Sequence, residues 1–310
     1  MSLLPWMFMI FIGYFQLDQP EPHKIKIVTT IFPLLEFAKA VCGEKAEVHL
    51  LLPPGAEVHT WNPRPSDIVR LTSADMFIYI GARLEPWVHD LLESVKHSDL
   101  RVLEASRNLI HPESWKRPSR SEEPQESEKH EEHGDLDPHL WLDFELDQRI
   151  VDKIEAVASE MDPSHASLFK KNAQICKQKL QNLHQEYERS LENCQNRTLI
   201  LGGHSAFGYL ARKYRLRQIS LYGLSPDSKP TPRTLVEVVK MAKRHNVNCI
   251  FFEKYVSEDL AQVLAKEVGA RTLVLSPGAN LTKKELDSGM SFFDIMEINL
   301  ENLRDGLGCR

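Results

Sequence analysis

No Cys-x-x-Cys pair occurs anywhere in the 310 residues, and Cys42, Cys176, Cys194, Cys249 and Cys309 stand far apart. That spacing excludes a zinc ribbon and a thioredoxin-type redox centre. An excess of positive charge is missing too, since 38 Lys and Arg against 44 Asp and Glu leave a net charge of −6. Without a basic stripe there is no electrostatic footprint for nucleic acid. Long apolar runs are absent after the amino terminus. Residues 3–15 (LLPWMFMIFIGYF) form a continuous apolar run, too short to span a bilayer comfortably and of signal-peptide length. It lacks a preceding Lys or Arg, a following A-x-A site and an early Cys for lipid attachment. We expect residues 1–22 to be an export signal, or a short uncleaved anchor, that continues into the Pro-rich polar tether QLDQPEPH. The protein is then extracytoplasmic.

What the chain does have is alternation. Its length suffices for two domains with sizeable cores. IKIVTT at residues 25–30 reads as a buried strand, and Phe32-Pro33-Leu34 opens a helix that ends at Gly43. AEVHLLL (46–52) and MFIYI (76–80) read as further strands, with a Ser66-capped helix between them. The pattern resumes after residue 198 with strands at TLIL (198–201), 219–221, CIFF (249–252) and 272–275. Helices are predicted over 206–214, from Pro232, from Ser257 to Gly269, and along the apolar face from Phe292 to Leu307. Strands alternating with helical segments predict βαβ units around mainly parallel sheets. No sequence repeat relates the halves. Between them, Phe169, Ala173, Cys176, Leu180, Leu183, Tyr187 and Leu191 recur by fours and threes, one face of a single long helix. With no second heptad run to pair with it, this helix reads as a rigid strut. The predicted layout is a tether (1–22), an amino-terminal α/β lobe (23–161), a linking helix (162–193) and a carboxy-terminal α/β lobe (194–310).

The segment at 120–143, RSEEPQESEKHEEHGDLDPHLWLD, changes character midway. Its first part carries six glutamates with His130 and His133, too polar for a core, and reads as a mobile loop over 117–136. Taken alone, such a charge run is ordinarily a solvated surface. It leads straight into Asp137-Pro138-His139-Leu140-Trp141, where large apolar side chains and the restriction that Pro138 places on Asp137 predict ordered structure. Two more histidines join His139, and all three sit where strands are expected to end. His59 lies in PPGAEVHTWNPRPSD and His204 in LILGGHSAFG. Three neutral imidazoles from separate segments, with one further donor, suit tetrahedral zinc. His49, His89, His97, His184 and His245 read as ordinary strand, helix or surface residues. Two catalytic readings compete. LILGGHSAFG nearly reproduces a nucleophile elbow at Ser205, but Phe207 stands where G-x-S-x-G needs glycine. A three-histidine zinc enzyme would use the same ligands to activate a water.

From residue 25 onward the chain resembles the zinc and manganese substrate-binding proteins of ABC-type metal importers, the cluster A-I group. The resemblance rests on IVTTIFPL, PPGAEVHTWNPRPSD, the acidic loop before DPHLWLD, HSAFGYLARKYRLRQISLYGLSPDSKPTP, CIFFEKYVSEDLAQVLAKEVGA and FFDIMEINLENLRDGL, in that order. It implies two Rossmann-like lobes joined by one long rigid helix, with metal bound between them and passed to a membrane permease. It also implies a monomeric carrier with no enzymatic activity. His59, His139 and His204 match the family's ligand positions. A histidine at 204, where manganese members tend to have a carboxylate, resembles the zinc type, and imidazole is the softer donor. Manganese remains the alternative cargo. One departure concerns the fourth ligand: Leu275-Ser276-Pro277 stands where many members have Leu-Asp-Pro. Water, Glu57 or a donor from the loop could fill that place.

The resemblance further implies a disulfide between Cys249 and Cys309, which an exported protein could retain. Cys42, Cys176 and Cys194 are then free thiols. The sequons at Asn196 and Asn280 read as chance matches. The acidic loop reads as a weak collector that raises local cation concentration. Deleting residues 120–134 is therefore expected to leave tight one-site zinc binding intact in calorimetry, and loss of that site would refute the collector role.

Overall fold

The computed structural model describes residues 24–95, 99–110, 136–226, 230–253 and 258–310. The export segment, the acidic loop up to residue 135 and the Ser257 cap lie outside them. Among the described residues no helix is long and apolar enough to cross a membrane.

The amino-terminal lobe contains β1 (Ile25–Thr29), α1 (Phe32–Cys42), β2 (Ala46–Leu50), α2 (Pro65–Thr72), β3 (Met76–Tyr79), α3 (Val88–Ser94) and β4 (Arg101–Glu104). Two helices follow, α4 (Phe144–Met161) and α5 (Ala166–Ser190). The second lobe contains β5 (Thr198–Leu201), α6 (Gly208–Lys213), β6 (Arg217–Ser220), α7 (Pro232–Arg244) and β7 (Cys249–Phe252). It continues with α8 (Glu258–Val268), β8 (Arg271–Val274), α9 (Lys283–Asp287) and α10 (Phe292–Leu307). Each lobe holds a four-stranded parallel sheet, ordered β2-β1-β3-β4 and β6-β5-β7-β8. The continuously apolar runs IVT, TLIL and CIFF occupy the central strands, where both faces are covered, and β5 and β7 are buried at every residue.

The shared strand order places a reversal of winding direction between β1 and β3, and again between β5 and β7. Open α/β sheets bind ligands beyond the carboxyl ends of the strands at such a point. In the first lobe the point is filled internally. Glu85, 5% exposed, accepts hydrogen bonds from Thr30 Oγ1 (2.6 Å), Ile80 N (2.9 Å) and Gly81 N (3.0 Å), while burial pushes its carboxyl up to about 7. In the second lobe the equivalent point holds His204 and Glu253, which follow β5 and β7.

The long helix forms as its periodicity predicts, though a 3₁₀ turn at Pro163–His165 takes up its start. Phe169, Ala173, Cys176, Leu180, Leu183 and Tyr187 are buried along one face. That face packs against α4 and α1 of the first lobe, and the Tyr187 hydroxyl donates to the Met296 carbonyl of α10 in the second. A single apolar core runs through both lobes, from Ile27 and Phe37 to Leu199, Phe251 and Phe292. The helix is thus a shared wall of that core. Other boundaries shift slightly. Ser66 does not cap α2, because Pro65 takes the first helical position and Arg64 the cap, its N–H bonded to Asp67 Oδ2 at 2.8 Å. The strand predicted at 219–221 lies instead at Arg217–Ser220.

The expected Cys249–Cys309 disulfide is corrected: Cys309 bonds Cys194, and Cys249 is a buried free thiol. Gly308 ends α10 in the left-handed region and turns the chain away from β7. The tail then runs beside residues 193–196, with Gln195 N donating to Gly308 O and Asn196 N to Leu307 O, which brings Cys309 opposite Cys194. Cys249 stays inside, where burial pushes its thiol up to about 12. Peptide mapping without reductant is expected to recover a 194–309 link. Cys309→Ser is expected to cost about 2–4 kcal/mol of stability in denaturant unfolding, and Cys249→Ser is expected to leave the link intact.

Candidate metal centre

His59 lies on the long connection between β2 and α2, and His204 lies between β5 and α6. His139 lies just before a 3₁₀ turn (Leu140–Leu142) that runs into α4, so it does not follow a strand directly as the sequence suggested. The fold brings all three together. The Nε2 atoms of His59 and His139 are 3.2 Å apart, as are those of His139 and His204. All three candidate ligand atoms lie within 4.8 Å of one another. Nitrogen ligands at about 2.0–2.1 Å from a tetrahedral zinc stand roughly 3.3 Å apart, so the observed spacing suits a shared cation.

The outer nitrogens are already committed. Asp137 Oδ1 accepts from both the backbone N–H (3.0 Å) and Nδ1 (2.8 Å) of His139. Glu253 Oε1 does the same for His204, at 2.9 Å and 2.8 Å. A carboxylate acceptor at Nδ1 places the proton there and leaves the Nε2 lone pair free for a metal. Unshared lone pairs at 3.2 Å repel each other unless a cation or proton lies between them. The geometry is therefore that of a cation receptor.

Two glycines make room for these carboxylates. A Cβ on Gly203 would stand 2.2 Å from Glu253 Oε1, and one on Gly208 would stand 2.4 Å from Asp137 Oδ2. His139, His204, Asp137 and Glu253 are all buried, whereas His59 is half-buried. Burial, then the neighbouring His139 and His204, pushes the His59 imidazole down to about 2. Burial also lowers His139, against the opposing pull of Asp137. For His204 burial pulls the same way, but Glu253, with Glu57 and Asp137 farther off, outweighs it and holds the ring above its ordinary 6.5.

Asp137 and Glu253 escaped the sequence reading. Their signal was slight: Asp137 stands two residues before His139, and Glu253 is a lone acid directly after the apolar run CIFF. Ser276, at the family's aspartate position, holds a turn, its Oγ accepting from Gly278 N at 3.2 Å. Glu57 lies close to the cluster, with its Oε1 accepting from His59 N at 3.2 Å. His245, read from the sequence as an ordinary residue, caps α7 and contacts Arg217.

Two parallel-sheet α/β lobes joined through a long helix, with nitrogen donors gathered in the crevice between them, define a metal-binding solute-binding protein. Residues 27–306 match the family described as zinc-uptake complex component A, periplasmic, and the chain belongs to that family. It is 37% identical over 288 residues to the high-affinity zinc uptake system protein ZnuA of Bacillus subtilis, covering 92% of this chain and 88% of that protein. It is 33% identical to the zinc-binding protein AdcA of Streptococcus pyogenes over 91% of this chain, which spans 56% of AdcA. The Zn(II)-bound ZnuA-like domain of Streptococcus pneumoniae AdcA matches the fold with a TM-score of 0.76 at 32% identity, covering 92% of this chain and 99% of that domain. Family members are metal-binding transport proteins, and zinc is the ion that these relatives' names carry.

A protonated imidazole has no lone pair to give, so acid competes with metal at the one ring held above 6.5. Zinc affinity is expected to fall as pH drops from about 7.5 to 5.5, read by competition with a chromophoric chelator. A flat profile over that range would remove His204 protonation as the competitor.

Proposed function

We propose that this protein captures Zn²⁺ outside the cytoplasm with His59, His139 and His204 and delivers it to the permease of an ABC-type importer. The observation that carries the reading is the convergence of three Nε2 atoms, with the His139 and His204 rings fixed from behind by Asp137 and Glu253. Three neutral nitrogen donors without a carboxylate among them favour borderline zinc over harder manganese. Water or Glu57 completes the shell. Export by residues 1–22 would place the protein where such a carrier is needed. It acts as a monomer, and its task is capture and release, with no bond made or broken in a substrate. The core shared between the lobes restricts wide hinge opening, so binding and release proceed through small movements of loops around the crevice.

Calorimetry on the metal-stripped protein tests this directly. Wild type is expected to bind one zinc tightly and manganese more weakly, and His204→Ala is expected to lose at least about 100-fold in zinc affinity. Undiminished zinc binding by that variant would sink the site assignment.

A further inference from the structure

Between β8 and α9 the chain crosses from the second lobe to the first, and this strap grips both first-lobe segments that carry a proposed ligand. Its base is fixed to α10: Asn299, 1% exposed, donates from Nδ2 to Ser276 O at 2.6 Å and accepts from Ser276 N at 2.9 Å. Pro277 O accepts from the indole N–H of Trp141, two residues after His139, at 2.7 Å. Gly278, at φ +71°, turns the strap against Met296 and Phe292 of α10. Ala279 O accepts from Phe32 N at 2.8 Å, and Leu281 O accepts from Gly55 N at 2.9 Å.

Asn280 makes the closest engagement with the His59 connection. It is 4% exposed, and its Nδ2 donates to both Pro53 O (2.7 Å) and Ala56 O (2.9 Å), the two ends of the turn that precedes Glu57 and His59. Its Oδ1 accepts from Leu281 N at 2.8 Å. Both amide hydrogens are thus spent on one turn of the opposite lobe. His59 belongs to the first lobe by chain order, but its loop is held by the second.

We propose that Asn280 is a positioning residue for zinc capture: its amide keeps the 53–57 turn docked on the strap, so that His59 stays directed at the other two imidazoles and zinc leaves when this clamp lets go. The proposal rests on the reading of His59 as a ligand. It requires no movement of the lobes as whole bodies, in keeping with their common core. It also gives the 277–281 strap a role in release, since displacing that strap would loosen the His59 turn and the Trp141 anchor together.

The test is a double-mutant cycle on zinc release into excess chelator by stopped flow. Asn280→Asp preserves shape and the acceptor for Leu281 N but removes both donors, and Asn280→Ala removes them without adding charge. Either change is expected to raise the release rate about tenfold or more, while association changes little. In a His59→Ala background the same change is expected to add nothing. Acceleration of equal size in both backgrounds would mean a merely structural role, and no acceleration with His59 present would mean no clamp; either overturns the proposal. If His59→Ala leaves zinc binding untouched, the ligand reading fails first and the clamp falls with it. A measurement without variants stands beside these. Hydrogen exchange at Gly55 N–H, which Leu281 O holds, is expected to slow on zinc loading in the wild-type protein, and unchanged exchange would also overturn the proposal.

Discussion

Imidazole nitrogens with their lone pairs turned inward cannot rest 3.2 Å apart by themselves, the distance at which His139 Nε2 stands from both His59 Nε2 and His204 Nε2. Something must hold the rings in place, and something positive must reward the arrangement. Buried carboxylates supply the first requirement for two of them, since Asp137 and Glu253 each accept, at a single oxygen, the ring Nδ1–H and the backbone N–H of one histidine. A divalent cation meets the second. Much of the surrounding structure serves this pair of requirements. Gly203 and Gly208 leave room for the carboxylates, and the winding reversal between β5 and β7 puts His204 and Glu253 side by side.

The lobes contribute unequally. In the second lobe the reversal point is part of the site, while in the first the equivalent point is closed by Glu85 and its hydrogen bonds to Thr30, Ile80 and Gly81. The first-lobe candidate ligands therefore come from elsewhere: His59 from the connection after β2, and His139 from the approach to α4. Such segments need external support. The strap from Ser276 to Leu281 provides it, reaching Trp141 beside His139 and the turn before His59. α5 and a continuous apolar core also join the lobes, and of the three candidate ligands only His59 is half-buried.

Much of the architecture was legible in the chain. Buried central strands announce themselves as continuous apolar runs, and one helix face recurring by fours and threes reads as a long helix. The partly exposed strand β4, the short helices α3 and α9, and the whole of α4 were not read. Histidines 59, 139 and 204 stood out because each interrupts a segment rich in turn formers or bulky apolar residues. The carboxylates behind two of them did not, since a single buried acid leaves no periodic trace. The disulfide was misassigned for a similar reason. A cysteine beyond the last helix can point toward β7 or toward residue 194, and the tail's hydrogen bonds to Gln195 and Asn196 set it beside the latter.

The sequence by itself determined the alternating strands and helices, the long helix between two halves, the identity of the three candidate ligands and their softness toward metals. These follow from local periodicity and from side-chain chemistry, both properties of the chain as a string. Only the tertiary structure decided which cysteines meet, which acids orient the imidazoles, and that Asn280 of one lobe holds the loop of a proposed ligand in the other. Apart from Asp137, two residues before His139, those are contacts between residues tens to hundreds of positions apart, fixed by how the two sheets and the shared core pack, and no neighbour in the chain encodes them.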